Sequence, residues 1–161
     1  MEKEKIISSI AKRGNGEIYL GVVGAVRTGK STFIKRFIEN LVVPNISDEY
    51  EKKRCLDEIP QSAQGKTIMT TEPKFVPSNG ALIKVGEFET NIKLVDCVGY
   101  VIPEANGFID EDGNPRMVKS PWFEDAIPFV EAAEIGTEKV IKDHATIGIV
   151  LTTDGSIGEI K

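Results

Sequence analysis

Apolar positions along the chain change their period several times, and each change marks an element. Over residues 3–12, Ile6, Ile7, Ile10 and Ala11 recur at helical spacing and predict a short amphipathic helix, followed by a turn at 13–16. Residues 17–23 (EIYLGVV) form a β-rich, mostly apolar run, the pattern of a strand covered on both faces. From residue 31 to about 41, Phe33, Ile34, Phe37, Ile38 and Leu41 repeat every three or four positions, and Pro44 ends that helix. Residues 48–58 predict a polar helix with Asp48 as cap and Glu51 reaching back to it. Residues 60–77 lack periodicity and read as a long loop. Two strands follow near 81–85 and 91–95 around a Gly86-Glu87 turn. The stretch 101–121 is a second long loop, because its prolines and glycines oppose regular structure. A helix over about 129–143 and a fourth strand at 145–151 (ATIGIVL) complete the pattern.

Strand, loop, helix, paired strands, helix and strand make an α/β chain. At 161 residues it holds one ordinary core, taken as one domain over 1–161. A buried-type strand left at an open edge invites aggregation, so the chain is expected to be the front part of a longer protein. Hydrophobic residues at 40% and charged residues at 28% argue against overall disorder. Net charge is −5, which gives no general attraction to nucleic acid. No apolar run approaches the roughly 20 residues of a bilayer span, and MEKEKIISSI is not a signal peptide. With only Cys55 and Cys97 present, and Cys97 in an apolar strand pattern as a reduced small hydrophobe, the chain reads as cytosolic.

The chemistry lies between the first strand and the helix after it. Gly24-Ala25-Val26-Arg27-Thr28-Gly29-Lys30-Ser31 matches G-x-x-x-x-G-K-S in the strand–loop–helix setting that motif requires. Glycines let the backbone curl so that successive N–H groups face phosphate oxygens, and the helix adds its positive end. Lys30 reaches between the β- and γ-phosphates, and the Ser31 hydroxyl is a Mg²⁺ ligand. The nucleotide-binding set is Gly24 to Thr32 together with Gly99. Asp96-Cys-Val-Gly99 ends the third strand; an acid there holds Mg²⁺, usually through water, and Gly99 offers its N–H to the γ-phosphate. In the loop between these elements, Thr70 and Thr71 are both candidates for ligating Mg²⁺ and positioning the attacking water. Lys66 is a weaker candidate for neutralising charge during hydrolysis. Arg27 either contacts a phosphate, in its own loop or a neighbouring subunit's, or faces solvent. The catalytic set is thus Lys30, Thr70, Thr71 and Asp96, and the metal set Ser31, Thr70, Thr71 and Asp96.

After D-x-x-G, where switch enzymes often carry Gln or His, stands Tyr100, a poor general base at neutral pH, so slow turnover is expected. His144 is assigned to a helix end and Asp110-Glu-Asp112-Gly113 lacks the rest of a calcium loop. Trp122 and Phe123 are expected to anchor their loop onto the core.

The stretches IYLGVVGAVRTGKSTFIKRF, LVVPNIS, DEIPQSAQGKTIMTTEPKFVP, IKLVDCVGY, PWFEDAIPF and HATIGIVLTTDGSIGEI cover most of the chain. Together they resemble the stage IV sporulation protein A family, spore-coat morphogenetic ATPases of endospore-forming Firmicutes. The resemblance implies a P-loop NTPase of the translation-factor GTPase type that uses ATP, with a Ras-like sheet whose second strand is antiparallel, truncated after the fourth strand. Gly24 to Ser31 match the family's phosphate loop, Thr70 and Thr71 its sensor threonines, and Asp96 with Gly99 its second motif. It further implies hydrolysis-driven self-assembly into a platform around the forespore, in the mother cell cytoplasm. A small amphipathic membrane-bound peptide and coat proteins are the implied partners, engaged through regions beyond Lys161. The competing readings are a non-catalytic nucleotide-binding scaffold and a P-loop phosphotransferase, the latter disfavoured because no arginine-bearing lid is visible.

Overall fold

The computed structural model describes residues 16–60, 72–101 and 108–152. The helix expected over 3–12 and the loop residues Lys66, Thr70 and Thr71 lie outside them. The main sheet uses β1 (Glu17–Gly24), β2 (Lys74–Val85), β3 (Phe88–Asp96) and β6 (Ile147–Leu151), in the order β2-β3-β1-β6. β1 pairs parallel with β3 and β6, whereas β2 runs antiparallel to β3, the orientation expected of the second strand. Two helices follow β1, α1 (Lys30–Phe37) and α2 (Glu49–Asp57), and α3 (Phe129–Lys139) precedes β6. This is a mixed α/β architecture.

β1 is apolar over its buried second half, Leu20 to Gly24, because it is covered on both faces there. Leu20 and Val22 belong to a cluster with Ile34 and Ile38, to which α2 adds the free, fully buried Cys55. Val23 packs on the other face with Val95, Cys97 and Val140. Cys97 is buried and free, as its strand pattern implied. Asp48 caps α2 by accepting from the Glu51 N–H at 2.8 Å. Glu51 does not reach back; its carboxylate pairs with Arg54 instead, at 2.5 Å. Arg54 also donates to Gly80 O at 2.9 Å and Glu58 accepts from Ser78 N at 2.5 Å, which ties α2 to an irregularity in β2.

Several boundaries differ from the sequence expectation. β2 begins at Lys74, inside the stretch read as loop: Pro77, Ser78 and Gly80 look like turn residues, but they fill a bulge within a strand that continues. The helix expected to run to about 41 is α-helical only to Phe37, then widens into a π-type turn at Ile38–Val42 and tightens into a 3₁₀ turn at Val43–Asn45. The helix expected over 129–143 likewise ends in a π-type turn, Val140–His144, with the His144 ring edge-on to Phe75. The loop at 101–121 is not without structure, since β4 (Met117–Val118) pairs with β5 (Ile127–Pro128). Asp110 Oδ1 accepts from both Asp112 N and Asn114 N, so this carboxylate oxygen braces a local turn. Phe123 does not anchor this loop; it is 46% exposed, while Trp122 is half-buried. Among the described residues, no helix is long and apolar enough to cross a membrane.

Candidate functional site

The site forms where β1 and β3 end side by side. Their parallel register sets Val22 beside Asp96, so the chain leaving β1 and the chain leaving β3 meet. Ala25 bridges Tyr100, and Val26 N donates to Tyr100 O at 2.9 Å. The loop is closed on itself by Thr28, whose hydroxyl donates to Ala25 O at 2.8 Å. Helix α1 then starts with Phe33 N donating to Gly29 O at 2.8 Å.

Lys30 is the centre of the arrangement. Its side chain turns back into the loop and donates to Ala25 O at 2.7 Å and Gly24 O at 3.2 Å. It is 6% exposed and forms no ion pair among the described residues. Burial pulls its ammonium below the usual lysine range, while Cys97 and Asp96 act in the opposite sense. A buried cation whose hydrogen bonds go to carbonyl oxygens, with no ion pair among the described residues, is poised for an anion. Asp96 shows the mirror case: burial pushes its carboxyl above the usual range, opposed by Lys30, the Ser31 hydroxyl, Lys74 and the Cys97 N–H. Ser31 Oγ donates to Asp96 Oδ2 at 3.4 Å.

Gly99 is where the second motif touches the first. Its φ is +90°, and a Cβ added there would collide with Lys30 Nζ and lie 2.5 Å from Gly24 O. A Cβ at Gly24 would collide with Leu151 O of β6. Glycine at these two positions is therefore what allows loop, β3 end and β6 to close together.

Of the expected residues, Gly24, Ala25, Val26, Thr28, Lys30, Ser31, Asp96 and Gly99 come together here. Arg27, Gly29 and Thr32 lie at the exposed rim. Sequence reading did not anticipate the Thr28 bond that closes the loop, nor the Cys97 thiol beside Val22 O and Thr137. A threonine three residues after a loop carbonyl is the only signal for the first. Tyr100 lines a groove of about 310 Å³ with Glu134, Thr137, Glu138, Ile141 and Lys142.

Mg²⁺ can be tested against this donor set. Ser31 and Asp96 offer adjacent oxygens only, and no cluster of three or more His, Cys, Asp or Glu occurs among the described residues. A hard cation that keeps most of its water and uses one or two protein oxygens fits such a pair.

Comparison with known proteins identifies the family. Residues 1–161 match the family model described as stage IV sporulation protein A, ATPase domain. The chain is 63% identical over 161 residues to the stage IV sporulation protein A of Bacillus anthracis and to that of Bacillus subtilis (strain 168), covering 99% of this chain and 32% of each relative. It is 58% identical over 153 residues to the protein of that name from Clostridioides difficile (strain 630), covering 94% of this chain and 31% of the relative. The chain thus spans about a third of the length of these relatives. No solved structure matches. With its whole length matched by that family model and 58–63% identity to these relatives, the chain belongs to the stage IV sporulation protein A ATPase-domain family.

Proposed function

We propose that the chain is a Mg²⁺-dependent ATP-hydrolysing domain with water as acceptor, built as a P-loop NTPase of the translation-factor GTPase type. The observation that carries this is the Ser31–Asp96 contact, which joins two motifs 65 residues apart directly beside the buried Lys30 ammonium. The strand order, with β2 antiparallel, supports the fold reading. In this reading Lys30 and the loop N–H groups neutralise the phosphates, Gly99 meets the γ-phosphate, and Ser31 with Asp96 holds the metal. A metal held there would supply Lewis-acid charge neutralisation to the phosphates. Thr70 or Thr71 positions the attacking water and adds a metal ligand.

Turnover drives self-assembly into a spore-coat platform around the forespore, in the mother cell cytoplasm. A small membrane-bound amphipathic peptide and coat proteins are its partners, reached through further domains. The relatives' names support a part in sporulation and go no further. A non-catalytic scaffold is the second reading, favoured by Tyr100 standing where a water-orienting side chain is usual.

Phosphate release from ATP and from GTP, with nucleotide binding measured in parallel, separates the two. Lys30→Ala abolishes binding under either reading. Thr70→Ala/Thr71→Ala retains binding and stops release if the domain is an ATPase. Binding by the parent chain without release establishes the scaffold.

A further inference from the structure

Arg27 occupies the left-handed region with φ 64°, and it is the sole non-glycine residue to do so among the described residues. A side chain is strained there, which is why the loop's next left-handed position, φ 85°, carries glycine as Gly29. Glycine would serve the backbone at position 27 better than arginine does, so the value of the residue lies in its side chain. Arg27 is exposed, and none of the described residues pairs with it.

The charges around the loop show what that side chain is for. Lys30, the other cation of the loop, is buried and already shared between Ala25 O and Gly24 O. Asp96 adds negative charge beside it. A nucleoside triphosphate carries several negative charges and develops more on the oxygens around its γ-phosphorus as hydrolysis proceeds. Lys30 meets the phosphates from inside the loop only, and Arg27 is the loop's second cation, paired with none of the described residues.

We propose that Arg27 is a further catalytic residue, its guanidinium folding in cis onto the outer phosphates of the nucleotide held by the same loop. This rests on the ATPase reading above. Water adds to the γ-phosphorus, and the bond from that phosphorus to the β,γ-bridging oxygen breaks. The bridging oxygen keeps the electron pair, and the proton lost by water passes to solvent. Arg27 forms no covalent bond; its N–H donors meet charge on the bridging and γ-oxygens as it accumulates.

The test compares the parent chain with Arg27→Gly, Arg27→Ala and Arg27→Lys. Phosphate release at saturating Mg²⁺-ATP, affinity for a fluorescent ATP analogue and thermal midpoint are measured for each. Arg27→Gly removes the guanidinium while relieving the backbone, so its midpoint equals or exceeds the parent's and certifies the fold. It lowers kcat by about tenfold or more with affinity changed by less than about threefold, and Arg27→Lys falls between the two. Parent-like turnover in Arg27→Gly overturns the proposal. Turnover restored by mixing Arg27→Gly with Lys30→Ala overturns the assignment in cis and moves the arginine to a neighbouring copy. A parent chain that binds or hydrolyses no ATP refutes the ATPase reading itself, and this inference with it.

Discussion

Gly99→Ala isolates the closest approach between the two motifs. Two costs combine there. An alanine at φ +90° loses about 1–2 kcal/mol to left-handed strain. Its Cβ would also lie 2.5 Å from Gly24 O and against Lys30 Nζ, inside any real contact distance, so the loop must shift. Overpacking of that kind adds about 1–3 kcal/mol, for a total of about 2–5 kcal/mol. Gly86→Ala is the control: its φ is +64°, nothing lies within 4 Å of the added Cβ, and it sits in the turn between β2 and β3. It should cost only the backbone strain, about 1–2 kcal/mol. In a domain of this size each kcal/mol moves the thermal midpoint by about 2–4 °C. Urea denaturation and thermal melts of both variants, with nucleotide binding, give the comparison. Gly99→Ala should be less stable than Gly86→Ala by at least about 1 kcal/mol and should bind nucleotide more weakly, since Lys30 is displaced. Equal midpoints with normal binding in Gly99→Ala would refute the packing of Gly99 against Lys30.

Nucleotide affinity should weaken at both ends of the pH range. It falls as pH rises through the depressed Lys30 value, below 10.5, and as pH drops through the raised Asp96 value, above 3.8; titration of binding against pH checks both limbs. In the nucleotide-free chain the linkage has definite signs. Asp96 contributes stability that is full below its unfolded value and lost as pH rises through the folded one. The cost of the buried Lys30 charge is relieved as pH climbs from its folded value toward 10.5, and stability curves against pH record both. Ile38→Ala, at a fully buried core position, should cost about 2–5 kcal/mol with an unchanged urea m-value. Phe123→Ser should change stability by less than about 0.5 kcal/mol, whereas an anchoring phenylalanine would cost several times more.

The parts of the fold legible in advance are those where one local pattern carries the structure. β1 is mostly apolar because neighbours cover both its faces, β3 shows buried positions alternating with polar ones before the buried Leu94-Val95 pair, and the loop between β1 and α1 carries its motif in eight consecutive residues. Boundaries were lost where tertiary contacts overrule local chemistry. Ser78 and Gly80 read as turn formers, but bonds from Glu58 and Arg54 hold the bulge they occupy inside β2. The π-type turns at Ile38 and Val140 place fully buried side chains, a requirement of packing that periodicity alone does not display. Within the site, the meeting of Lys30, Ser31, Asp96 and Gly99 was readable because their two motifs stand at the ends of neighbouring strands. The left-handed backbone of Arg27 was not, since arginine gives no sign of it.

The staple between α2 and β2 bears on how copies of this domain can meet. Among the described residues β2 is an outer strand of the sheet, and an outer strand normally offers unpaired backbone as a template for a strand from elsewhere. Here the Gly80 carbonyl and the Ser78 amide are already taken by side chains of Arg54 and Glu58. An incoming strand would have to break two charge-assisted bonds and lift a helix before it could dock along that stretch. Growth by lengthening the sheet is thereby obstructed on this side, so an ordered lattice of such domains would be joined there by side-chain surfaces rather than by shared β-structure.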